Sequence, residues 1–475
     1  MPGVGKFFTL PPVPAEALPG PRIAGMGFSA GELVMPELQV LPMGWSWALH
    51  LCQCYLVSAI HGVGVSEGSV ITDGRDGVLL GSPSDVGVAA YVDNYCVVGQ
   101  DASGVDRLCD QISAALTRRG LVVHDLERSS GQAVFTGFDI DGERQRLRVR
   151  ADRLWSLRAA LDALLEKGFA SSAALGVVTG HLAWAMMARR EALSLLAGCY
   201  AFAHDSSIGV RPLWPAVRKE LAWARSLLPL FAADLGAAWH DIVLATDASS
   251  IGAGVCTAPS LPEEAAAVGR CSERWRYTVT EACAARRHAL GGEPPASGGL
   301  LPAARADADS DVTMEELTAF TRVQKPEFAE VPHAFITTNT WKNVHASRHP
   351  VVRDILGLEA DALEIGIRHV LRSGSAFSRR LLALVDNLPL ALAATKGRGA
   401  AETLRAPLRK ITALLLCSGC RLYTRWIPSE WNPSDGASRG AVGWFANRMR
   451  RCSPEDHCRT GPMCPAAGGR CQLAR

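Results

Sequence analysis

Residues 241–256 read DIVLATDASSIGAGVC: an apolar run ending on Asp247, a small polar turn, and an apolar, Gly-containing return. Two such runs joined by turn residues predict a β-hairpin. Further on, HAFITT (333–338), LLALVD (381–386) and RLYTRW (421–426) read as strands. Apolar residues at helical spacing fill 351–371, 388–395 and 401–416. The order β, β, β, α, β, α, α, β predicts a mixed sheet with helices on its faces. Between the second and third strands, residues 257–332 are rich in Pro, Ala, Gly and acids, including DADSDVTMEE (307–316), and read as a solvated insertion.

Working back from the hairpin, residues 151–232 read as helix after helix, at Leu154–Leu165, Ala173–Met187, Glu191–Phe202 and Val217–Leu228. Before them VAAYVDNYCVVG (88–99) forms two short apolar runs joined at Asp93-Asn94, a second hairpin. A helix is expected over Met43–Ile60, and another from a Ser103 cap through Leu108, Ile112 and Leu116 to Gly120. LVVH (121–124) and AVFTGFDI (133–140) complete an α+β unit, while residues 1–42 are Pro- and Gly-rich and irregular.

A chain of 475 residues implies about three structural units, and with 48% hydrophobic and 20% charged residues it is not broadly disordered. No run of eighteen or more apolar residues and no signal-like segment occurs, so a membrane span and secretion are not expected. The 14 cysteines, mostly single, suit reduced thiols and an intracellular setting, nucleus or cytoplasm. Lys+Arg and Asp+Glu nearly cancel, 49 against 47, but seven are Lys and 42 Arg, the side chain that forks onto phosphate.

Asp247 and Asp386 each close a strand, and carboxylates at neighbouring strand ends suit a divalent cation, which prefers oxygen ligands. The helix over 351–371 adds Glu359, Asp361 and Glu364. At 100° per residue Glu359 and Glu364 stand roughly 140° apart, so only one enters a shared site. The bland alternative makes Asp386-Asn387 a helix cap and Asp247-Ala248-Ser249 a turn.

The blocks TDASSIGAGV, LEADALEIGIRHVL, LVDNLPLALAATKGRG and RWIPSEWNPSDGASR, in that order, resemble the ribonuclease H-like domain of retrotransposon polyproteins. The resemblance implies Mg²⁺-dependent cleavage of RNA paired to DNA, with Mn²⁺ as the alternative ion. The ligands by position are Asp247, bridging two ions, Glu359 and Asp386 on the water-activating ion, and Asp435 on the other. Glu359 is preferred to Glu364 because LEADA matches the family's Leu-Glu-x-x-Ala pattern. No His stands beside Asp435 as a counterpart to the family's proton-shuttling His.

Upstream, LPMGWSWALHLCQ (41–53) resembles the reverse-transcriptase segment lining the template and nucleotide pocket, which would place Gly44 and Trp45 on nucleic acid. YVDN (91–94) resembles the Tyr-x-Asp-Asp hairpin, which would make Tyr91 a nucleic-acid contact and Asp93 the retained polymerase ligand, with Asn94 in place of the second acid. KFFTLPPVPAEALPG (6–20) resembles the stretch after the first catalytic Asp, so that Asp and the fingers are expected to be missing and polymerase activity lost, with a separate chain as one source of those parts. In KGRG (396–399) and the next helix, Lys396, Arg398, Arg405, Arg409 and Lys410 form a basic cluster suited either to phosphate or to a solvated helix face.

The expected fold is α/β and α+β: a partial reverse-transcriptase palm over 1–150, a helical thumb or connection over 151–235, a ribonuclease H-like mixed-sheet domain over 236–440 and a Cys- and Arg-containing tail over 441–475. In the tail Cys452, Cys458, Cys464 and Cys471 lack the paired spacing of zinc sites, with His457 nearby. Cys417 and Cys420 are expected to serve packing. The expected partner is an RNA–DNA hybrid or other nucleic acid. The alternatives are a decayed or repurposed retroelement product that binds nucleic acid or a protein without turnover, and a relic that does not fold.

Overall fold

The computed structural model describes residues 9, 11–17, 29, 31–36, 41–42, 45, 47–128, 131–205, 209–279, 322–325, 327–349 and 353–440. The expectations for Gly44, for the acidic run 307–316 and for Cys452, Cys458, Cys464, Cys471 and His457 lie outside those residues. Contacts divide the chain into two units, Met1–Thr72 with Val78–Ser130, and Asp73–Gly77 with Gly131–Arg475.

In the first unit, helix α1 (Ala48–His61) precedes the antiparallel hairpin β1 (Val86–Tyr91) and β2 (Asn94–Gly99), and helix α2 (Ala102–Arg118) follows. Leu56 and Ile60 of α1, Val88 of β1 and Ile112 and Leu116 of α2 share one core. Tyr91 pairs with Asn94, so the two-residue loop is Val92-Asp93 and not the expected Asp93-Asn94. Two other local expectations are corrected. Asp101, not Ser103, caps α2, its carboxylate accepting from the Ser103 and Gly104 amides, an ion where the hydroxyl would offer a dipole. LVVH is not a strand; Val122 is 76% exposed and only Val123 packs against the core.

The second unit begins with three antiparallel strands, Gln132–Phe135, Phe138–Asp141 and Arg146–Val149, closed by Ala232–Asp234. That long-range pairing carries the strands into the second unit, so the division falls at residue 130 where the sequence reading drew 150. Helices Ala151–Lys167, Ser172–Ala185 and Pro215–Leu227 bury Leu161, Leu175, Leu182 and Leu221 together. The helix expected over Glu191–Phe202 is instead a tight turn series, Met186–Leu196, followed by α-helix Ala197–Ala203. The cause is Arg189, which leaves helical geometry (φ −135°) and donates from Nη2 to the carbonyls of Leu415, 3.0 Å, and Cys420, 2.7 Å. Tertiary bonds outweigh local helix preference there.

The rest of the unit runs β3 (Trp239–Ala248), β4 (Gly252–Pro259), β5 (Lys342–Arg348), α3 (Ile355–Val370), β6 (Arg380–Val385), α4 (Leu388–Lys396), α5 (Arg405–Ser418) and β7 (Arg421–Trp426). The sheet order is β5-β4-β3-β6-β7, antiparallel across β5, β4 and β3 and parallel across β3, β6 and β7. The chain is thus α/β and α+β, with a five-stranded mixed sheet as its largest layer. Leu244, Val255, Ala383 and Val385 face α3, α4 and α5. Val243, Ala245, Leu382 and Leu384 face the opposite way. A strand buried on both faces is apolar throughout, which is why LLALV shows no alternation.

What covers that second face corrects the loop reading for residues 260–279. Helix Pro262–Gly269 places Ala265, Ala266 and Val268 on it, and HAFITT, expected as a strand, is a short helix, His333–Thr337, that buries Ile336 there. The third strand is Lys342–Arg348 instead. The same segment supplies Glu273, fully buried, whose carboxylate binds Arg276 at 2.7 Å and Arg425 of β7 at 2.9 Å.

Candidate metal centre

Thr246 of β3 pairs in parallel with Val385 of β6, so the next residue on either strand, Asp247 and Asp386, reaches the same sheet edge. Neither is consumed by the local roles that the bland reading offered. Asn387, not Asp386, caps α4, accepting from the Leu390 amide at 3.1 Å. Ser249, not Asp247, builds the turn, its Oγ accepting from the Ile251 and Gly252 amides at 3.1 and 3.2 Å.

Helix α3 contributes the third acid. Gly366 lets the helix lie close to β3, since a Cβ there would meet the Thr246 methyl at 3.0 Å. Asp354 caps α3 by accepting from the Gly357 amide at 3.3 Å. Glu359 then points inward, and one carboxylate oxygen from each of Asp247, Glu359 and Asp386 lies within 4.8 Å of the others. Glu364 is elsewhere, ion-paired to Arg368 and to Lys410 at 3.4 Å. Asp361 pairs with Arg353. The helix offers three acids, and only Glu359 enters the cluster.

Asp247 and Glu359 are each 4% exposed. Burial, then the neighbouring charges of Asp386 and Asp247, pushes the Glu359 carboxyl up to about 9, against an amide bond from Ala248. Burial likewise raises Asp247 to about 6, with the charges of Asp386 and Asp435 adding and a Ser438 hydroxyl bond opposing. Glu359 Oε2 and Asp386 Oδ1 are buried with no hydrogen-bond partner among the described residues. Three converging carboxylates, two of them carrying an orphaned oxygen, fit a divalent cation of the Mg²⁺ or Mn²⁺ type. Without one, the like charges are relieved by protons.

Asp435 stands outside the tight trio. It opens the short helix Asp435–Ser438, and its Oδ1 accepts from Arg439 Nε at 2.8 Å, yet it lies near enough to raise Asp247. That helix is held against β4 because residue 254 is Gly; a Cβ would come to 2.5 Å from the Ser438 nitrogen and 2.6 Å from the Ser434 carbonyl. Asn432 ties the same segment to β3, donating to the Thr246 carbonyl at 3.0 Å while its Oδ1 accepts from Ser434. Asn432 and Ser438 escaped the sequence reading, although the Asn-Pro turn signal lay in the NPSDGASR block that named Asp435.

The remaining predicted positions are dispersed. In the first unit Asp93 is exposed at the hairpin tip, accepting from Asn94 Nδ2 at 3.0 Å, and belongs to no cluster of three metal-type ligands among the described residues. Tyr91 is exposed and Trp45 half-buried. The residue that the LPMGWSWALHLCQ block hides is Gln53, which accepts from the Val92 amide at 2.7 Å and donates to the Ala90 carbonyl at 3.1 Å, bracing a Val held at φ 58°. Such backbone is costly for a β-branched residue.

In the second unit the basic cluster separates. Arg398 is exposed beside the Tyr200 ring, Lys396 is half-buried at the end of α4, and Arg405 pairs with Glu402 at 3.3 Å. Arg409 is not a phosphate contact: it pairs with the buried Glu220 and donates to the Ser194 carbonyl at 3.3 Å. Cys420 is packed, its Sγ donating to the Ala376 carbonyl at 2.9 Å, while Cys417 is exposed.

No protein-family model matches the chain, and no curated protein does. Among solved structures, a foamy viral protease-reverse transcriptase in complex with an RNA/DNA hybrid is 11% identical with a TM-score of 0.30, over 86% of this chain. A dRH form of foamy viral protease-reverse transcriptase in complex with double-stranded DNA is 10% identical with a TM-score of 0.32, over 83% of this chain. The chain spans 63% and 52% of those two proteins. Likeness of that degree assigns neither a family nor an activity.

Proposed function

We propose that the chain is a nucleic-acid-binding protein of the reverse transcriptase/ribonuclease H kind whose Asp247, Glu359 and Asp386 support Mg²⁺- or Mn²⁺-dependent cleavage of the RNA strand of an RNA–DNA hybrid. The carrying observation is the convergence of three carboxylates within 4.8 Å, two with buried oxygens that no donor meets. In this reading the ion is held by Asp247, Glu359 and Asp386, with Asp435 beside them. A bound divalent cation supplies a lowered water pKa and charge neutralisation at phosphorus.

The chain's own residues do the positioning. Asn432 holds the segment that carries Asp435 on the Thr246 carbonyl, and Gly254 lets that segment lie against β4. Burial keeps solvent from screening the carboxylates, so their charge acts at low dielectric. The sheet domain within 236–440 carries cleavage, and the helical region over 151–235 together with the 91–94 hairpin belongs to binding.

The test is incubation of the purified chain with a labelled hybrid and Mg²⁺. Cleavage lost by at least about 100-fold in Asp247→Asn, a magnitude typical of removing one preorganised electrostatic group, supports the proposal. Binding without cleavage by the wild-type chain refutes it in favour of a non-catalytic retroelement product.

A further inference from the structure

At the end of the sheet opposite the carboxylates, where β7 begins and α4 ends, the second unit encloses a cavity of about 250 Å³. Four guanidinium-bearing residues line it, Arg190, Arg270, Arg274 and Arg421. The lining carboxylate, Glu191, is taken by the buried Arg189 at 2.6 Å, and Arg274 is paired to Asp73 at 2.5 Å. Arg190, Arg270 and Arg421 have no ion pair among the described residues, and Arg190 Nε is buried without a hydrogen-bond partner.

Burial, followed by the positive charges of Arg274 and Arg398, lowers the Arg190 pKa, with Asp73 opposing. Clustered cations around a concavity repel one another unless an anion joins them. Arginine is suited to phosphate because its fork offers paired donors. The Trp275 ring, with Arg274 5.2 Å from its centroid, adds an aromatic face at the rim.

We propose that this cavity is a phosphate-binding site, taking the phosphate of a nucleotide or of a nucleic-acid strand. The KGRG turn that the sequence singled out helps build it. Gly397 lines the cavity in left-handed geometry (φ 71°), and a side chain there would collide with the Arg190 carbonyl. The site stands apart from the carboxylate reading, and loss of one leaves the other testable.

The test titrates the full chain calorimetrically with inorganic phosphate, and by fluorescence with a labelled, 5′-phosphorylated oligoribonucleotide and its unphosphorylated twin. Wild type should bind phosphate saturably, and Arg270→Gln and Arg421→Gln should each weaken it about tenfold or more, the loss expected for one charge-assisted hydrogen bond. Arg421→Lys should lose less. If phosphate also displaces the phosphorylated strand, the strand is the occupant. If strand binding ignores phosphate and both variants, a free phosphate compound is. Absence of saturable phosphate binding to wild type, or binding undiminished in both Gln variants with melting curves like wild type, overturns the proposal.

Discussion

Asp247 and Glu359 bring carboxylate oxygens within 4.8 Å of each other inside the protein, although one ends a strand and the other sits on a helix. Burial holds both above the ordinary carboxylate range, Asp247 at about 6 and Glu359 at about 9. In the proposed reading, a divalent cation would displace those protons.

The first consequence concerns pH. Glu359 starts from 4.5 and is raised to about 9 by folding, so between those values the folded protein holds a proton that the unfolded chain has released. Its favourable contribution is complete below 4.5 and fades as pH climbs towards 9. In EDTA, Glu359→Gln, which cannot titrate, should gain melting temperature relative to wild type as pH rises through that window. Mg²⁺ should stabilise wild type more than the variant. A difference that stays flat with pH would contradict this.

Glu273 should prove structural despite lying in the segment read as loop. Glu273→Ala leaves the buried guanidiniums of Arg276 and Arg425 without that partner, and removing one member of a buried ionic network costs about 3–5 kcal/mol. Urea denaturation should show that loss. Deleting residues 260–279 should cost more, because Ala245, Leu382 and Leu384 lose the helix that covers them.

Two arginines one helical turn apart, Arg405 and Arg409, should behave oppositely. Arg409→Ala strands the buried Glu220 and should destabilise by about 3 kcal/mol or more. Arg405, exposed with an exposed partner, should change stability by less than about 0.5 kcal/mol when replaced by Ala. Thermal melts of the two variants decide the matter.

Gly254→Ala should act at a distance. Its methyl would press on the backbone of Ser434 and Ser438, pushing the short helix and Asp435 away from Asp247. A loss of about 1–3 kcal/mol, as overpacking brings, should accompany reduced hybrid cleavage and a higher Mg²⁺ requirement. Unchanged Mg²⁺ dependence would show that Asp435 does not serve the site.

Much of this was legible where the signal is local. The strands around Asp247 and Asp386 and the strand 421–426 follow from apolar runs bounded by turn residues, and the α3 and α5 helices from their spacing. Glu359 over Glu364 followed only from a resemblance, since helical geometry excluded having both without choosing between them. In the structure Glu359 lies beside Asp247 and Asp386, while Glu364 pairs with Arg368 and Lys410.

Misreadings fall where a long-range partner overrides the local pattern. HAFITT has strand-like composition but becomes a helix because Ile336 fills space beneath the sheet. Arg189 breaks a helix to reach carbonyls on α5 and beyond it. Arg409, polar in a polar cluster, turns inward because Glu220 waits there.

By itself, then, the amino-acid order settled the strands around Asp247 and Asp386, the strand 421–426 and the α3 and α5 helices, since backbone preference and apolar periodicity act between near neighbours. Which acids meet, which arginines are buried and which loop is really a wall of the core came only with the tertiary structure, because pairing register and ion pairing join residues that the chain keeps far apart.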